Sequence, residues 1–299
     1  MPWGTIKLND GNEIPAIAFG TGTALRNEDS TAYVEQAIES GFSHIDTAAI
    51  YRNEEGVGAA IKESGLNRED LYITTKYDGG VIRDEVEKSL AKLGLKQLDL
   101  YLIHAPGFVK GKLEDAWKEF EIIKEDALAK SIGVSNFSLE DLQLLLKTAK
   151  IKPAVNQIRF NPYNWAEIKD LVEYSDKHGI VTEAYSSLTP ITRTPGGPVD
   201  APLNAIAKRL GATPAQVIFK WVQSKGVVVV TTSSRKERLQ EYLDVADLPD
   251  LTEADIAAIE EAGAKSKPSR KSKQVAVYLG QLAVLTALTY AFSYLVRYV

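Results

Sequence analysis

The sequence predicts a (β/α)8 barrel preceded by a short antiparallel hairpin. Three observations carry that expectation. Eight short apolar runs rich in β-branched residues alternate with amphipathic stretches across roughly 230 residues. No Gly-rich phosphate-binding fingerprint follows the first run, which disfavours the runner-up, a doubly wound open sheet. The segment TIKLNDGNEIPA sets the turn Asn9-Asp10-Gly11 between two short alternating runs, a hairpin signal. Such a hairpin can plug the bottom of a barrel.

In chain order, the predicted strands cover residues 16–20, 42–46, 71–76, 98–104, 131–135, 154–158, 180–185 and 227–232. The helical patterns between them include residues 30–40, 83–93, 114–125, 139–148 and 166–178, where apolar residues recur at helical spacing. Trp117 and Trp221 fall on apolar helix faces and read as core. Trp3 and Trp165 read as pocket-rim aromatics. His178, in SDKHGI, sits where a helix ends, and a His followed by Gly there is capping chemistry.

Composition narrows the function classes. The 299 residues include no cysteine, which removes thiol nucleophiles, disulfides and cysteine-ligated metals. Three histidines in unrelated positions do not assemble a metal site, so none is expected. The net charge of −5 argues against nucleic-acid binding. That figure divides unevenly. Residues 1–264 hold 29 basic and 40 acidic side chains, a net of −11, whereas the last 35 residues carry +6.

Residues 265–273, KSKPSRKSK, read as a basic linker. Residues 274–296 then run 23 positions without a charged side chain. As a helix this stretch would span about 34 Å, enough for a hydrocarbon core of about 30 Å. Tyr278 lies near one end, and Tyr290, Tyr294 and Tyr298 toward the other, where interfacial aromatics belong. The expectation is a single C-terminal transmembrane helix with the body, residues 1–264, on the cytosolic side. The endoplasmic reticulum, mitochondrial outer membrane and peroxisome all fit. Ala283, Ala287 and Ala291 recur at i, i+4, which is read as ordinary alanine content and not as a packing face.

In a barrel of this kind chemistry sits at the carboxyl ends of the strands. Those ends supply Asp46 after strand two, Lys76 at the end of strand three and His104 at the end of strand four, with Tyr51 in the loop beyond Asp46. Asp46 paired with Lys76 would keep the ammonium charged. That cation would lower the Tyr51 phenol toward working pH, letting it protonate a carbonyl oxygen that His104 orients. Each residue alone has an ordinary structural role; the coincidence of four at adjacent strand ends is the signal. His44, two residues before Asp46 on the same strand face, is expected to be a structural hydrogen-bonding group.

These residues lie in motifs that resemble the aldo-keto reductase family. HIDTAAIYRNEEGVG (residues 44–58), LYITTK (71–76), LDLYLIHAP (98–106), KSIGVSNF (130–137) and AVNQIRFNPY (154–163) match its signatures in order, and the resemblance covers nearly all of residues 5–264. It implies a catalytic tetrad of Asp46, Tyr51, Lys76 and His104 and NADPH-dependent reduction of a small-molecule carbonyl compound by a monomeric barrel. It further implies that Ser135, Asn136 and Gln157 hold the nicotinamide carboxamide and that Tyr185 stacks on the ring. Ser186, Ser187 and Leu188 would follow the pyrophosphate. Gly20 and Thr21 would form the turn after strand one, with Gly22 and Thr23 beside them, and Asp46 would approach the ribose. Thr232, Ser233 and Arg238 would meet the NADP phosphate end.

Two departures from the family pattern matter. Thr232 stands where a lysine usually holds the 2′-phosphate, leaving that charge to Arg238 with Arg235 or Lys236. Ala105, in IHAP, stands where an indole usually closes the substrate pocket, which implies a wider acceptor site. With GTGTA and TTSS, these features resemble fungal ketone reductases acting on α-keto amides and conjugated polyketones. The alternative reading is a cofactor-sensing regulatory subunit of a membrane protein, a role some members of this family have.

Overall fold

The computed structural model describes residues 2–22 and 24–265. The predicted linker and transmembrane helix, and Thr23, lie outside the described residues, apart from Lys265 at the linker's edge. A hairpin, β1 (Thr5–Lys7) and β2 (Glu13–Pro15), precedes eight parallel strands. These are β3 (Ile17–Gly20), β4 (His44–Asp46), β5 (Tyr72–Tyr77), β6 (Leu98–Ile103), β7 (Ala129–Ser135), β8 (Val155–Arg159), β9 (Val181–Tyr185) and β10 (Val228–Thr231). β10 pairs with β9 on one side and with β3 on the other, which closes the ring and excludes the open sheet.

Helices α1 (Thr31–Ser40), α2 (Glu54–Glu63), α3 (Ile82–Leu93), α4 (Leu113–Glu125), α5 (Leu139–Leu145) and α6 (Trp165–Lys177) cross between successive strands. Then come α7 (Thr189–Thr192), α8 (Asp200–Leu210), α9 (Pro214–Gln223), α10 (Lys236–Leu243) and α11 (Glu253–Ala264). Local sequence sets their ends. α9 starts on a capping box in which Thr213 Oγ1 accepts from the Gln216 amide, with Pro214 in the first turn where its missing N–H costs nothing. α5 starts on the same device, Ser138 with Asp141. α6 ends as expected at His178, whose Nδ1 lies 2.8 Å from the Tyr174 carbonyl oxygen. None of the described helices is long and apolar enough to cross a membrane.

Two apolar clusters hold the barrel. The larger lies between strands and helices and includes Trp117 and Trp221, both essentially inaccessible. The smaller fills the amino-terminal end of the barrel. There Leu8 and Ile14 from the hairpin pack with Tyr72, Leu100, Ala154 and Val228 near the starts of their strands. The hairpin is therefore a bottom plug. With that end sealed by apolar side chains, the polar interior residues gather toward the carboxyl end.

Trp3 and Trp165 are not rim residues. Trp3 donates from its indole N–H to the Tyr242 and Leu243 carbonyls and packs edge-on against Phe219. Trp165 packs on Phe160 and Trp221. Both indoles find apolar neighbours behind the strands, which burial favours over a solvated rim.

Candidate active site

Asp46 closes β4, Lys76 lies one residue from the end of β5, and His104 directly follows β6. Tyr51 ends a short 3-10 turn, Ala49–Tyr51, in the loop after β4. The four residues come together. Lys76 is fully buried, and its Nζ donates to both Asp46 carboxylate oxygens at 2.7 Å and to the Thr47 carbonyl at 2.8 Å. The same ammonium lies 5.3 Å from the Tyr51 ring centroid. The Tyr51 and His104 rings meet edge to face at 5.5 Å and 83°. Gly22 backs Tyr51 so closely that a Cβ there would sit 2.9 Å from Tyr51 Cζ.

The electrostatics differ from the sequence expectation in one respect. Burial raises the Tyr51 phenol above its ordinary value; Lys76 opposes this, as does Arg26. Tyr51 is thus not brought down toward neutral pH but keeps its proton throughout the working range. Burial also lowers Lys76, but Asp46 outweighs it and holds the ammonium charged. His104 is depressed to about 3 by burial, then by the charges of Lys76 and Arg26, so its ring is neutral. His44 has the expected structural role: it is fully buried, neutral, and within 2.9 Å of Thr74 Oγ1.

A pocket of about 380 Å³ opens over this cluster. Gly20, Asp46, Ser135, Asn136, Gln157 and Tyr185 line it around Tyr51 and His104. Asn136 is held in the left-handed region at φ 60°. Its Nδ2 donates to the His104 carbonyl at 2.9 Å, and its Oδ1 accepts from the Tyr185 hydroxyl at 2.6 Å. Those bonds tie the ends of β6, β7 and β9 together, which fixes the rim. Ser186, Ser187, Leu188, Thr232 and Arg238 extend the pocket away from the tetrad.

Two expected residues are placed differently. Thr21 is fully buried and does not line the pocket; its hydroxyl donates to Thr47 Oγ1 at 2.9 Å and also lies near Asn53 Oδ1, which pins two loops together. Ser233 turns its hydroxyl to the Arg235 backbone at the start of α10. Arg235 and Lys236, weighed as substitutes for the absent lysine, pair with Glu237 and Glu39 on the surface and also lie off the pocket.

The sequence reading missed three pocket residues at the short helix α7, namely Thr189 and Thr192 within it and Arg193 directly after it. No repeated pattern marks them, because α7 is an addition between β9 and the next main helix. Arg193 and Arg238 make no ion pair with any described residue, so two guanidinium groups stand free at the pocket. Glu183 was also missed. It lies inside the barrel directly across from Gln157 in the β8–β9 pairing, a register that only the structure shows.

A family description, Aldo/keto reductase family, matches residues 4–264. The chain is 40% identical over 258 residues to an NAD/NADP-dependent indole-3-acetaldehyde reductase of Schizosaccharomyces pombe, covering 82% of this chain and 90% of that protein. It is 37% identical over 287 residues to an NADPH-dependent alpha-keto amide reductase of Saccharomyces cerevisiae, covering 88% and 92%. Among solved structures, a Bombyx mori aldo-keto reductase in complex with NADP is 32% identical with a TM-score of 0.78, covering 90% of this chain and 96% of that one. The barrel, the order of its motifs and these similarities place the chain in the aldo/keto reductase family.

Proposed function

We propose that the chain is an NADPH-dependent reductase of aldehydes and ketones in which Tyr51 is the general acid. The observation that carries this reading is the buried Asp46–Lys76 ion pair beside Tyr51 and His104 at the floor of one pocket.

The residues of the pocket suit a nicotinamide dinucleotide phosphate. Ser187 is 2% exposed, lines the pocket and has a hydroxyl without a partner, a donor suited to a phosphate oxygen. Arg193 and Arg238 offer bidentate donors for phosphate against the net negative field of the body. Ser135, Asn136 and Gln157 would hold the carboxamide, Tyr185 the ring, and Ser186, Leu188 and Thr232 the rest of the chain of contacts. When bound, the cofactor supplies hydride to the carbonyl carbon.

The protein's part is proton delivery and orientation. Tyr51 hands its proton to the carbonyl oxygen as negative charge grows there. Lys76, fixed by Asp46, stabilises the resulting phenolate. His104, neutral, donates its one N–H toward the same oxygen and orients it. Ala105 directly follows His104 with only a methyl side chain, and the exposed Phe108 has its ring 6.2 Å from that of His104. That supports acceptors larger than simple aldehydes, α-keto amides and dicarbonyls among them.

The test is Tyr51→Phe. NADP+ binding is expected to persist while turnover falls by about 10²–10⁴-fold; a variant with full turnover would overturn the assignment. Turnover of the wild-type protein with NADPH and methylglyoxal separates a reductase from a cofactor sensor. We also propose that residues 274–296 anchor the body to a membrane from the cytosolic side, supported by their length and lack of charge. Carbonate-resistant membrane association that is lost on removal of residues 265–299 is the expected result, and carbonate-extractable full-length protein refutes the anchor.

A further inference from the structure

We propose that Glu183 is a positioning residue that fixes the side-chain amide of Gln157 with its nitrogen inward and its carbonyl oxygen toward the pocket. The inference rests on the reading of the pocket as a nicotinamide site.

The geometry is a chain of buried polar groups running inward from the tetrad. Gln157 Nε2 donates to Asp46 Oδ2 at 2.8 Å and to Glu183 Oε2 at 2.9 Å. Both amide hydrogens are spent on carboxyl oxygens. A flipped amide would set its carbonyl oxygen against the Asp46 carboxylate, an arrangement of repulsion, and would give up the bond to Glu183 Oε2. The backbone of Gln157 is held separately, since its carbonyl accepts from Ser135 Oγ at 2.9 Å. Its side-chain oxygen makes no hydrogen bond among the described residues, and Gln157 lines the pocket. The residue therefore presents an acceptor, and a bound carboxamide must meet it with an N–H.

Glu183 is itself unusual. It is fully buried and has no cation within pairing distance among the described residues; His44 Nε2 lies 3.7 Å from Oε1, but that ring is neutral. The groups facing it are His44 and Asp46 from β4, Tyr72 and Lys76 from β5, and Gln157 from β8; the paired residue on β10 is Val228. Burial, then the charge of Asp46, holds the carboxyl proton on to about 8, so Glu183 is a neutral acid at working pH. With Oε2 accepting from Gln157, the unpartnered Oε1 is left to carry the proton. Ionisation above that pH adds a buried negative charge to the cluster in which Tyr51 must become a phenolate. Reduction should therefore slow as pH rises through this range.

The experiment uses the full-length protein and two cofactors, NADP+ and its 3-acetylpyridine analogue, which lacks the carboxamide N–H. Binding is followed by fluorescence titration. Wild type should prefer NADP+ by about tenfold, the effect of leaving one polar group unpaired. E183L removes one of the two acceptors that hold the Gln157 nitrogen inward, leaving Asp46 Oδ2 alone, and the preference should shrink to within about threefold. E183Q keeps an acceptor for Gln157 and should retain it. Loss of turnover alone would suit a merely structural role, whereas the change in analogue preference with rescue by E183Q would not. Full discrimination in E183L overturns the inference. Should E183L fail to fold, E183A is read in the same titration, and full discrimination there overturns the inference. Wild type that binds NADP+ but reduces no carbonyl probe overturns the proposed function and leaves the positioning role intact; wild type that binds no NADP+ removes both.

Discussion

Gly22→Ala tests how tightly the acid of the site is held. The added methyl carbon would stand 2.9 Å from Tyr51 Cζ, 3.1 Å from Cε2 and 3.1 Å from the hydroxyl oxygen. Apolar contacts settle near 3.5–4.0 Å, so the ring must retreat by roughly 0.6 Å or more. Its backbone cannot follow easily. Tyr51 N–H donates to the Ala48 carbonyl at 2.9 Å, and its own carbonyl accepts from Asn27 N–H at 2.8 Å. The displacement therefore falls on the side chain, which shifts the ring from its set distances to Lys76 and His104. Gly22 is not among the glycines at positive φ, so alanine there costs no backbone strain. A misplacement of about 1 Å at a reacting group can cost about 10²-fold; for the shift here, a loss in kcat of about tenfold is expected. Steady-state reduction of methylglyoxal gives kcat, NADP+ titration reports the pocket, and a thermal melt reports the fold. An unchanged melt with kcat within twofold of wild type would refute the claim that Gly22 sets the position of Tyr51.

Further variants probe the charges. Lys76→Met leaves Asp46 buried without its partner and should cost about 3–5 kcal/mol of stability as well as turnover; calorimetry showing an unchanged melting temperature would argue against the ion pair. Arg238→Ala should raise KM for NADPH by about tenfold while changing KM for NADH little, because the lost guanidinium pairs with a phosphate that NADH lacks; equal changes for both would reassign the residue. His44 and His104 are held near 3, against about 6.5 in an unfolded chain. Between those values the unfolded state binds the extra protons, so stability falls as pH drops below about 6.5, by about 1.4 kcal/mol per unit for each ring. Glu183, held near 8 in the fold, works in the opposite sense between about 4.5 and 8. Acid unfolding should thus steepen below about pH 4.5, and His44→Asn should flatten it in urea titrations at successive pH values; an unaltered slope would show that His44 is not a contributor.

The barrel and its tetrad were legible because both rest on short-range patterns. Alternation of apolar runs reveals the strands, and a strand end tells where a side chain emerges, so Asp46, Lys76 and His104 could be placed together without coordinates. The fate of Thr21 could not be read in this way. A threonine beside a glycine turn suits a pocket as well as it suits the interior, and only the neighbouring loop carrying Asn53 draws its hydroxyl away. Arg193 was hidden for a related reason, since α7 is an insertion with no strand register to orient it. The net effect of burial on Tyr51 is not legible in the sequence, because a cation's proximity is visible in motif spacing whereas desolvation is a three-dimensional sum.

The interior charges suit the proposed role of Tyr51 as the proton donor. Lys76 and Asp46 cancel as an ion pair, His44 and His104 are neutral because burial disfavours their charged forms, and Glu183 is neutral for the same reason acting on an acid. The floor of the pocket therefore carries no net charge while Tyr51 holds its proton. On the proposed role of Tyr51, the anion formed when the phenol gives that proton up lies near a fixed ammonium in a buried site, where charge interactions are strong. Any second negative charge in this cluster would act on the same anion with equal leverage. Keeping the acid of Glu183 protonated while its oxygen still steers Gln157 lets one carboxyl group orient the site without opposing its chemistry.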